Sequence, residues 1–511
     1  MQLSILERLQ KVVKKYLSTI AFASCKEKYT YEELWRMSLC VANILTRSSL
    51  KKGPVMVYGE SDFYALSSLL GVNMTGCAYV PVESHSPFVR VKMIVEACKP
   101  SAIIVTLKEE LDEELKVLFA RFCVFYQDSL VFDAKPIANF KNAVHGEDSN
   151  YIIYTSGTTG VPKGVEVSHN NLLSFTEWMM CDFKQIEQNQ VLLQAPFSFD
   201  LSIFSIYPSL LSAGTLVSLS RDETSNFKYL FERLNTTEIN TWISTPSFVD
   251  ICLLDPSFTQ EKHPKLEQFI FCGEELTVKT AKKLLEKFPK VCCWNTYGPT
   301  EATGALTQLK VTKDLLAKYD HLPLGNAKPG IKIQIHDLKK QKLPIKKRGE
   351  IVIIGDSVAK GYYKDLVKTQ EVFTKIDGKR AYYTGDAGYI DKTGQLFYEG
   401  RIDFQIKMNG YRIELQDIEA HLSAIFKVNK AVVLPQIDVN NQVRALVAVI
   451  IPNKKVNNEK QFIKDLRKAL AEKIMDYMMP QRFVLMDKFP LNQNGKIDRK
   501  LLSKNYLVRI R

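Results

Sequence analysis

The 511-residue chain has no apolar run near the ~20 residues that a membrane-spanning helix needs, so membrane insertion is not expected. Its start carries Glu7 and Arg8 where a secretory leader would hold its apolar core, and no small-residue cleavage site follows. The ten cysteines form no CxxC pair and no framework spacing, so they are expected to be reduced core residues of a cytoplasmic protein. Seven histidines without an HxxxH pair give no sign of a structural metal site. Neither zinc-finger spacing nor a basic helix with interleaved aromatics singles out nucleic acid. Internal repeats and low-complexity linkers are also missing.

What is present bounds the class. With 46% apolar and 10% aromatic residues the chain can bury several cores, and its length predicts about three domains. The net charge of +13 suits an acidic partner, whether nucleotide, anionic lipid or acidic protein. Modest clusters stand at 339–342, 346–348 and 496–504, although such runs are commonly plain solvated surface.

Short apolar runs (54–58, 102–106, 192–195, 241–244, 268–271) alternate with helical spacing (31–44, 277–287) over the first 400 residues. That alternation predicts a layered α/β body on parallel sheets. Thr277 is a suitable N-cap for its helix. From about 320 to 400, short strands (331–336, 349–354, 382–390, 395–398) lie between Gly, Pro and Lys turns, which predicts a β-rich subdomain. From Asp403 onward a helix at 413–426, strands at 431–435 and 445–451 and a helix at 462–473 predict a small α+β unit. The expected boundaries are 1–402 for the large domain and 403–511 for the small one.

Four motifs carry chemistry. Tyr154-Thr-Ser-Gly-Thr-Thr-Gly-Val-Pro-Lys-Gly164 mixes hydroxyls and glycines, so that N–H and O–H groups can converge on an anion beside Lys163. It is not a Walker loop, and its plain alternative is a surface turn. In Asn295-Thr-Tyr-Gly-Pro-Thr-Glu301, Tyr297 suits a base, Thr300 a phosphate and Glu301 Mg²⁺, but a turn into a helix reads equally well. Tyr383-Thr-Gly-Asp386 offers a carboxylate to a ribose, and Arg401 suits a phosphate or ribose oxygen. Lys496, in Asn492-Gln-Asn-Gly-Lys-Ile-Asp498, precedes a basic helix and taken alone is a solvated lysine.

The specific signal is the set, in this order and spacing. With Thr30-Tyr-Glu-Glu-Leu34 and Gly76-Cys-Ala-Tyr-Val-Pro-Val82, it resembles the adenylate-forming superfamily of amino-acid adenylation domains, acyl-CoA synthetases and luciferases, from about residue 25 to 500. Asp200, in Phe199-Asp-Leu-Ser202, stands where amino-acid-activating members keep a carboxylate for the substrate ammonium. Acetate and fatty-acid activators have no use for a buried anion there, since an unpaired one costs several kcal/mol. Cys272, in Phe271-Cys-Gly-Glu-Glu275, takes a position that is glycine in many peptide-synthetase domains. A bulkier side chain there would narrow the pocket. This resembles the D-alanine–D-alanyl carrier protein ligase family, as do Ser247-Phe-Val-Asp250, 275–281 and Met478-Met-Pro480. One position departs from that family. Gly304 replaces a branched apolar residue, and glycine is expected to widen the pocket or free the backbone.

The resemblance implies a two-step, ATP- and Mg²⁺-dependent ligase. D-alanine is converted to D-alanyl-AMP with release of pyrophosphate, then passed to the phosphopantetheine thiol of a D-alanyl carrier protein acting in trans, for D-alanylation of lipoteichoic acid. The alternative is a stand-alone adenylation enzyme for another amino acid. The implied ATP site comprises Thr155, Ser156, Gly157, Thr158, Thr159, Lys163, Asn295, Thr296, Tyr297, Gly298, Pro299, Thr300, Asp386, Tyr398, Arg401 and Lys496. Glu301 would hold Mg²⁺, and Asp200, Cys272, Gly304 and the catalytic Lys496 would meet the amino acid. Asp403 is the implied hinge for a rotation that brings the loop of Lys407, Gly410 and Arg412 in for thioester formation. No carrier domain is expected after Lys496, and the expected state is a monomer.

Overall fold

A computed structural model of the chain describes residues 3–48, 50–130, 142–157, 161–183, 187–438, 442–490 and 497–506, and element counts refer to these. The contacts divide it into two units. One comprises Met1–Ser84, Ala97–Tyr154 and Gly164–Gly400; the other comprises His85–Glu96, Thr155–Lys163 and Arg401–Arg511.

The large unit is built on two α/β sheets and a β-rich sheet, as the alternation predicted. The first sheet has nine strands in the order 326–327, 307–311, 292–297, 268–271, 241–244, 190–193, 215–218, 20–23, 28–30. Its six central strands are parallel; Lys28–Thr30 at one edge and Thr307–Val311 near the other run against them, and the outermost Asn326–Ala327 runs against Thr307–Val311. Thr241–Ser244 and Gln268–Phe271 are buried at every position, as strands covered on both faces must be. The second sheet orders seven strands as 361–362, 163–168, 149–155, 79–83, 55–59, 102–105, 123–126.

Between these elements the helix Ser202–Leu211 is buried on all sides and contacts Gln190–Leu193, Thr215–Ser218 and the helices Ile5–Lys15 and His169–Asp182. Helix starts follow local chemistry. Thr30 and Glu33 form a reciprocal capping box for Tyr31–Arg47, and Thr277 caps Val278–Lys287 through the Thr280 N–H, as expected. Ser4 and Glu7 likewise cap Ile5–Lys15, whose Ile5 N–H donates to Nε2 of buried His169 at 3.1 Å. Burial pushes the His169 pKa down to about 4, which keeps that nitrogen an acceptor.

The β-rich part is an antiparallel sheet ordered 331–336, 349–355, 379–390, 373–376, with Leu396–Arg401 paired to Lys379–Ile390. In the small unit, Val428–Ile437, Val443–Pro452 and Arg482–Leu485 form a sheet, and Leu415–Ser423 and Glu459–Ala471 contribute helices to its core. One element differs from expectation. The helix predicted over 413–426 spans only Leu415–Ser423, because Ile413 pairs with Ile406 in a hairpin. Among the described residues no disulfide forms and no helix is long and apolar enough to cross a membrane. Cys40, Cys98, Cys252, Cys272 and Cys293 are buried as expected, whereas Cys25 and Cys181 are exposed.

Candidate functional site

In the large unit, the strand Cys292–Tyr297 delivers the second motif to its carboxyl end, where open α/β sheets present ligand sites. Two of its polar side chains hold the frame. Thr296 Oγ1 donates to Phe271 O at 2.8 Å, and Asn295 Nδ2 donates to Pro323 O at 3.0 Å. The third, Tyr297, donates its phenol to Asp386 Oδ2 at 2.5 Å, so the structure joins two motifs nearly ninety residues apart. Burial raises the Tyr297 pKa well above its ordinary value, and the neighbouring Asp386 adds to the shift. Asp386 is held from behind: its own N–H donates to Thr384 Oγ1, and Gly385 N–H donates to Glu350 Oε1. Tyr398 lies close enough to perturb Tyr297 in turn.

Past Tyr297 the chain turns sharply. A Cβ on Gly298 would stand 2.6 Å from Ala305 Cα, so only glycine fits. Pro299 accepts from Ala302 N–H and Thr300 from Thr303 N–H, closing a 3₁₀ turn over Thr300–Ala302. That turn buries Glu301 completely, with one carboxylate oxygen accepting from Tyr362 Oη at 2.8 Å.

Thr303 and Gly304 follow with φ of +62° and +79°. Cys272 Sγ lies 3.7 Å from Gly304 O, so the two expected specificity positions meet. The expected widening at Gly304 is corrected by the structure. A Cβ there would stand 2.9 Å from Cε2 of Phe204, whose ring already fills the space. Glycine is demanded by Phe204 and by the left-handed backbone. Phe204 belongs to the helix that begins just after Asp200, a residue 7% exposed whose charge helps raise the pKa of buried Tyr151. The loop carrying Asp200 is clamped by groups that sequence reasoning missed. Ser61 Oγ accepts from Phe197 N–H at 2.8 Å and donates to Glu83 Oε1 at 3.3 Å, and Glu83 Oε1 also accepts from Ser198 N–H at 3.4 Å. Burial, with Glu60 adding, pushes the Glu83 carboxyl up to about 8. Glu83 ends a strand-like apolar run, which is the only hint the sequence holds.

In the small unit, Ser156 Oγ donates to Arg412 O at 2.9 Å, and Thr155 Oγ1 is buried with no partner among the described residues. A Cβ on Gly157 would collide with Val161 O at 2.1 Å, so the loop needs glycine. Lys163 Nζ is 3.7 Å from Glu414 Oε1, whose carboxyl burial pushes up while Lys163 opposes. Arg401 grips Asp403 with two nitrogens, at 2.8 and 2.5 Å. Burial would raise the Asp403 pKa, but the arginine outweighs it and holds the carboxyl low. Lys407 faces Arg412 across a hairpin turned by Asn409 and Gly410, both at positive φ, a type I′ turn. Thr158, Thr159 and Lys496 lie outside the described residues.

A family model described as AMP-binding enzyme matches residues 9–363, and one described as AMP-binding enzyme C-terminal domain matches 417–496. A D-alanine–D-alanyl carrier protein ligase of Lactococcus lactis subsp. lactis is 52% identical over 506 residues, covering 98% of this chain and 99% of the relative. Another, of Listeria welshimeri, is 42% identical over 514 residues, covering 99% of each. Among solved structures, the Vibrio cholerae adenylation domain AlmE in complex with glycyl-adenosine-5'-phosphate aligns with a TM-score of 0.82 at 21% identity, covering 99% of this chain and 98% of that one. Bacillus subtilis o-succinylbenzoate CoA synthetase aligns at 0.84 with 19% identity, covering 97% and 98%. At such identities the likeness shows the fold.

Proposed function

We propose a working mechanism from the family to which this chain belongs, the AMP-binding enzymes and, within them, the D-alanine–D-alanyl carrier protein ligases. The chain is accordingly a ligase that activates D-alanine and transfers it to a carrier protein. The steps and residue roles below are our reading.

In the first step, a carboxylate oxygen of D-alanine attacks the α-phosphorus of ATP. The bond from that phosphorus to the bridging oxygen breaks, and pyrophosphate leaves with the electron pair. The substrate carboxyl is ionised at neutral pH, so no general base is required. Positioning and charge stabilisation do the catalysis. Asp200 pairs with the substrate ammonium, and Cys272, Gly304 and Phe204 bound the side-chain recess. Asp386, already hydrogen-bonded to Tyr297, takes the ribose hydroxyls. The 155–163 loop takes the β- and γ-phosphates, for which the unpartnered Thr155 hydroxyl is a ready donor. Lys496 stabilises the charge that develops on the α-phosphate.

The carboxylate of Glu301 is the hard oxygen donor that Mg²⁺ takes, and Tyr362 fixes its orientation. Glu301 would hold the ion, which when bound supplies neutralisation of phosphate charge. In the second step, the phosphopantetheine thiol of a separate carrier protein attacks the acyl carbon as a thiolate. AMP leaves and the thiol proton is released. Asp403 serves as hinge, and Lys407, Gly410 and Arg412 line the thiol's approach. We place the enzyme in the cytoplasm as a monomer, with its product used for D-alanylation of lipoteichoic acid.

The observation that carries this reading is that an ammonium-matching carboxylate and an apolar wall lie four residues apart: Asp200 precedes the helix whose Phe204 fills the space at Gly304. ATP–pyrophosphate exchange with D-alanine, L-alanine, glycine, D-serine and acetate tests it. Exchange is expected with D-alanine well above L-alanine. A preference for another amino acid would overturn the recess argument, and acetate activation alone would overturn the role of Asp200.

A further inference from the structure

The connection between the strands Ile331–His336 and Gly349–Gly355 plays no part in the reaction above, yet it holds the densest charge in the β-rich sheet. Lys339, Lys340, Lys342, Lys346, Lys347 and Arg348 stand there against the single carboxylate of Asp337. That carboxylate is committed to the turn. Its Oδ1 accepts from the N–H groups of Lys339 and Gln341 at 2.8 and 2.9 Å, while Asp337 N–H donates to Gln341 O. The second half is anchored too. Leu343 packs inward with Ile335 and Ile351, and Lys346 N–H donates to Ile390 O at 2.7 Å.

Leu343 is thus the aliphatic that the sheet keeps. Leu338 and Ile345 point away from it, 94% and 60% exposed. Two cations are engaged: Arg348 pairs with Glu399 at 3.0 Å, and Lys340 lies over the Tyr383 ring and donates to Glu371 O. Lys339, Lys342, Lys346 and Lys347 are exposed, with no carboxylate partner among the described residues.

We propose that this ordered, exposed ledge docks on an anionic lipid surface, with Leu338 and Ile345 entering the headgroup layer and the four lysines without a carboxylate partner meeting its negative charge. Protein–protein interfaces are depleted in lysine, enriched in arginine and aromatics, and bury roughly 800 Å² on each partner. Here the one arginine is already paired, no aromatic is exposed among residues 337–348, and the apolar groups are two separate tips. Mobile ammonium charges suit a diffuse anionic layer, where each contributes independently.

The test is sedimentation of the full chain with vesicles of phosphatidylcholine alone and of phosphatidylcholine with phosphatidylglycerol, at low and high salt. Binding is expected only to the anionic vesicles and is expected to fall as salt rises. Replacing Lys339, Lys342 and Lys347 with Gln avoids the tied Lys340 and the left-handed Lys346. It should weaken partitioning about fivefold per lysine, or about a hundredfold in all. Leu338→Ser with Ile345→Ser should weaken it at constant charge. Both variants should keep the parental rate of ATP–pyrophosphate exchange, which reports an intact fold and reads independently of the adenylation mechanism. Equal sedimentation with neutral and anionic vesicles would overturn the proposal, as would undiminished binding by the triple variant. A triple variant that binds vesicles normally but transfers poorly to the carrier protein would reassign the ledge to an acidic protein.

Discussion

At the scale of single residues, the pocket and its supports give three tests. Gly304→Ala places a methyl group against Phe204 in a left-handed backbone, and overpacking of this kind costs about 1–3 kcal/mol. The expected outcome is a lower melting temperature and a raised KM for D-alanine, partly restored by adding Phe204→Leu. Glu83→Ala should raise the KM for D-alanine while leaving that for ATP unchanged, because Glu83 and Ser61 hold the loop of Asp200. Glu83→Gln keeps the acceptor and should recover most of the loss. Lys496→Ala should slow adenylation by about 10²–10³ with little change in ATP binding, measured by single-turnover kinetics against nucleotide titration. At this scale the sequence revealed residue types and hid their partners. Thr296 and Asn295 read as ligand groups, yet both side chains are spent on neighbouring backbone. Gly304 read as widening the pocket or freeing the backbone; its positive φ fits the second, and the ring that rules out the first lies a hundred residues earlier.

At the scale of elements, the helix Ile5–Lys15 depends on a neutral imidazole. The His169 pKa is depressed to about 4 from an ordinary 6.5, so its contribution is fully present above about 6.5 and is lost as pH falls through 4. Protection factors of the 5–15 amides, taken after correction for the intrinsic pH dependence of exchange, should therefore fall between pH 6.5 and 4, ahead of global unfolding. His169→Gln, an acceptor that does not titrate, should remove that acid sensitivity; an unchanged profile would place the cause elsewhere. The cap at Thr277 was legible because capping is local chemistry that any neighbourhood preserves. The helix predicted over 413–426 failed at its start because a cross-strand partner claimed Ile413, which no window around that residue reveals.

At the scale of the whole molecule, the small unit has its own core around Ile418, Val433, Ala448 and Leu470. Units with separate cores need not unfold together. Leu470→Ala should cost the small unit about 2–5 kcal/mol and lower only one calorimetric transition. A uniform shift of a single transition would show one cooperative body. Strand alternation made the layered sheets legible in advance, and the motif set pointed to the family that the comparisons show. The membership of His85–Glu96 and Thr155–Lys163 in the small unit was not legible, since both segments lie more than 200 residues before the rest of that unit. That membership has a consequence for biosynthesis. A ribosome adding about 5–20 residues per second releases the 155–163 loop well before the chain from Arg401 onward that completes its unit. With about 240 residues between them, the loop waits roughly 10–50 s. The 155–163 segment is therefore among the last parts of the nascent enzyme to find its partners, and on the proposed mechanism nucleotide binding should arise only as translation ends.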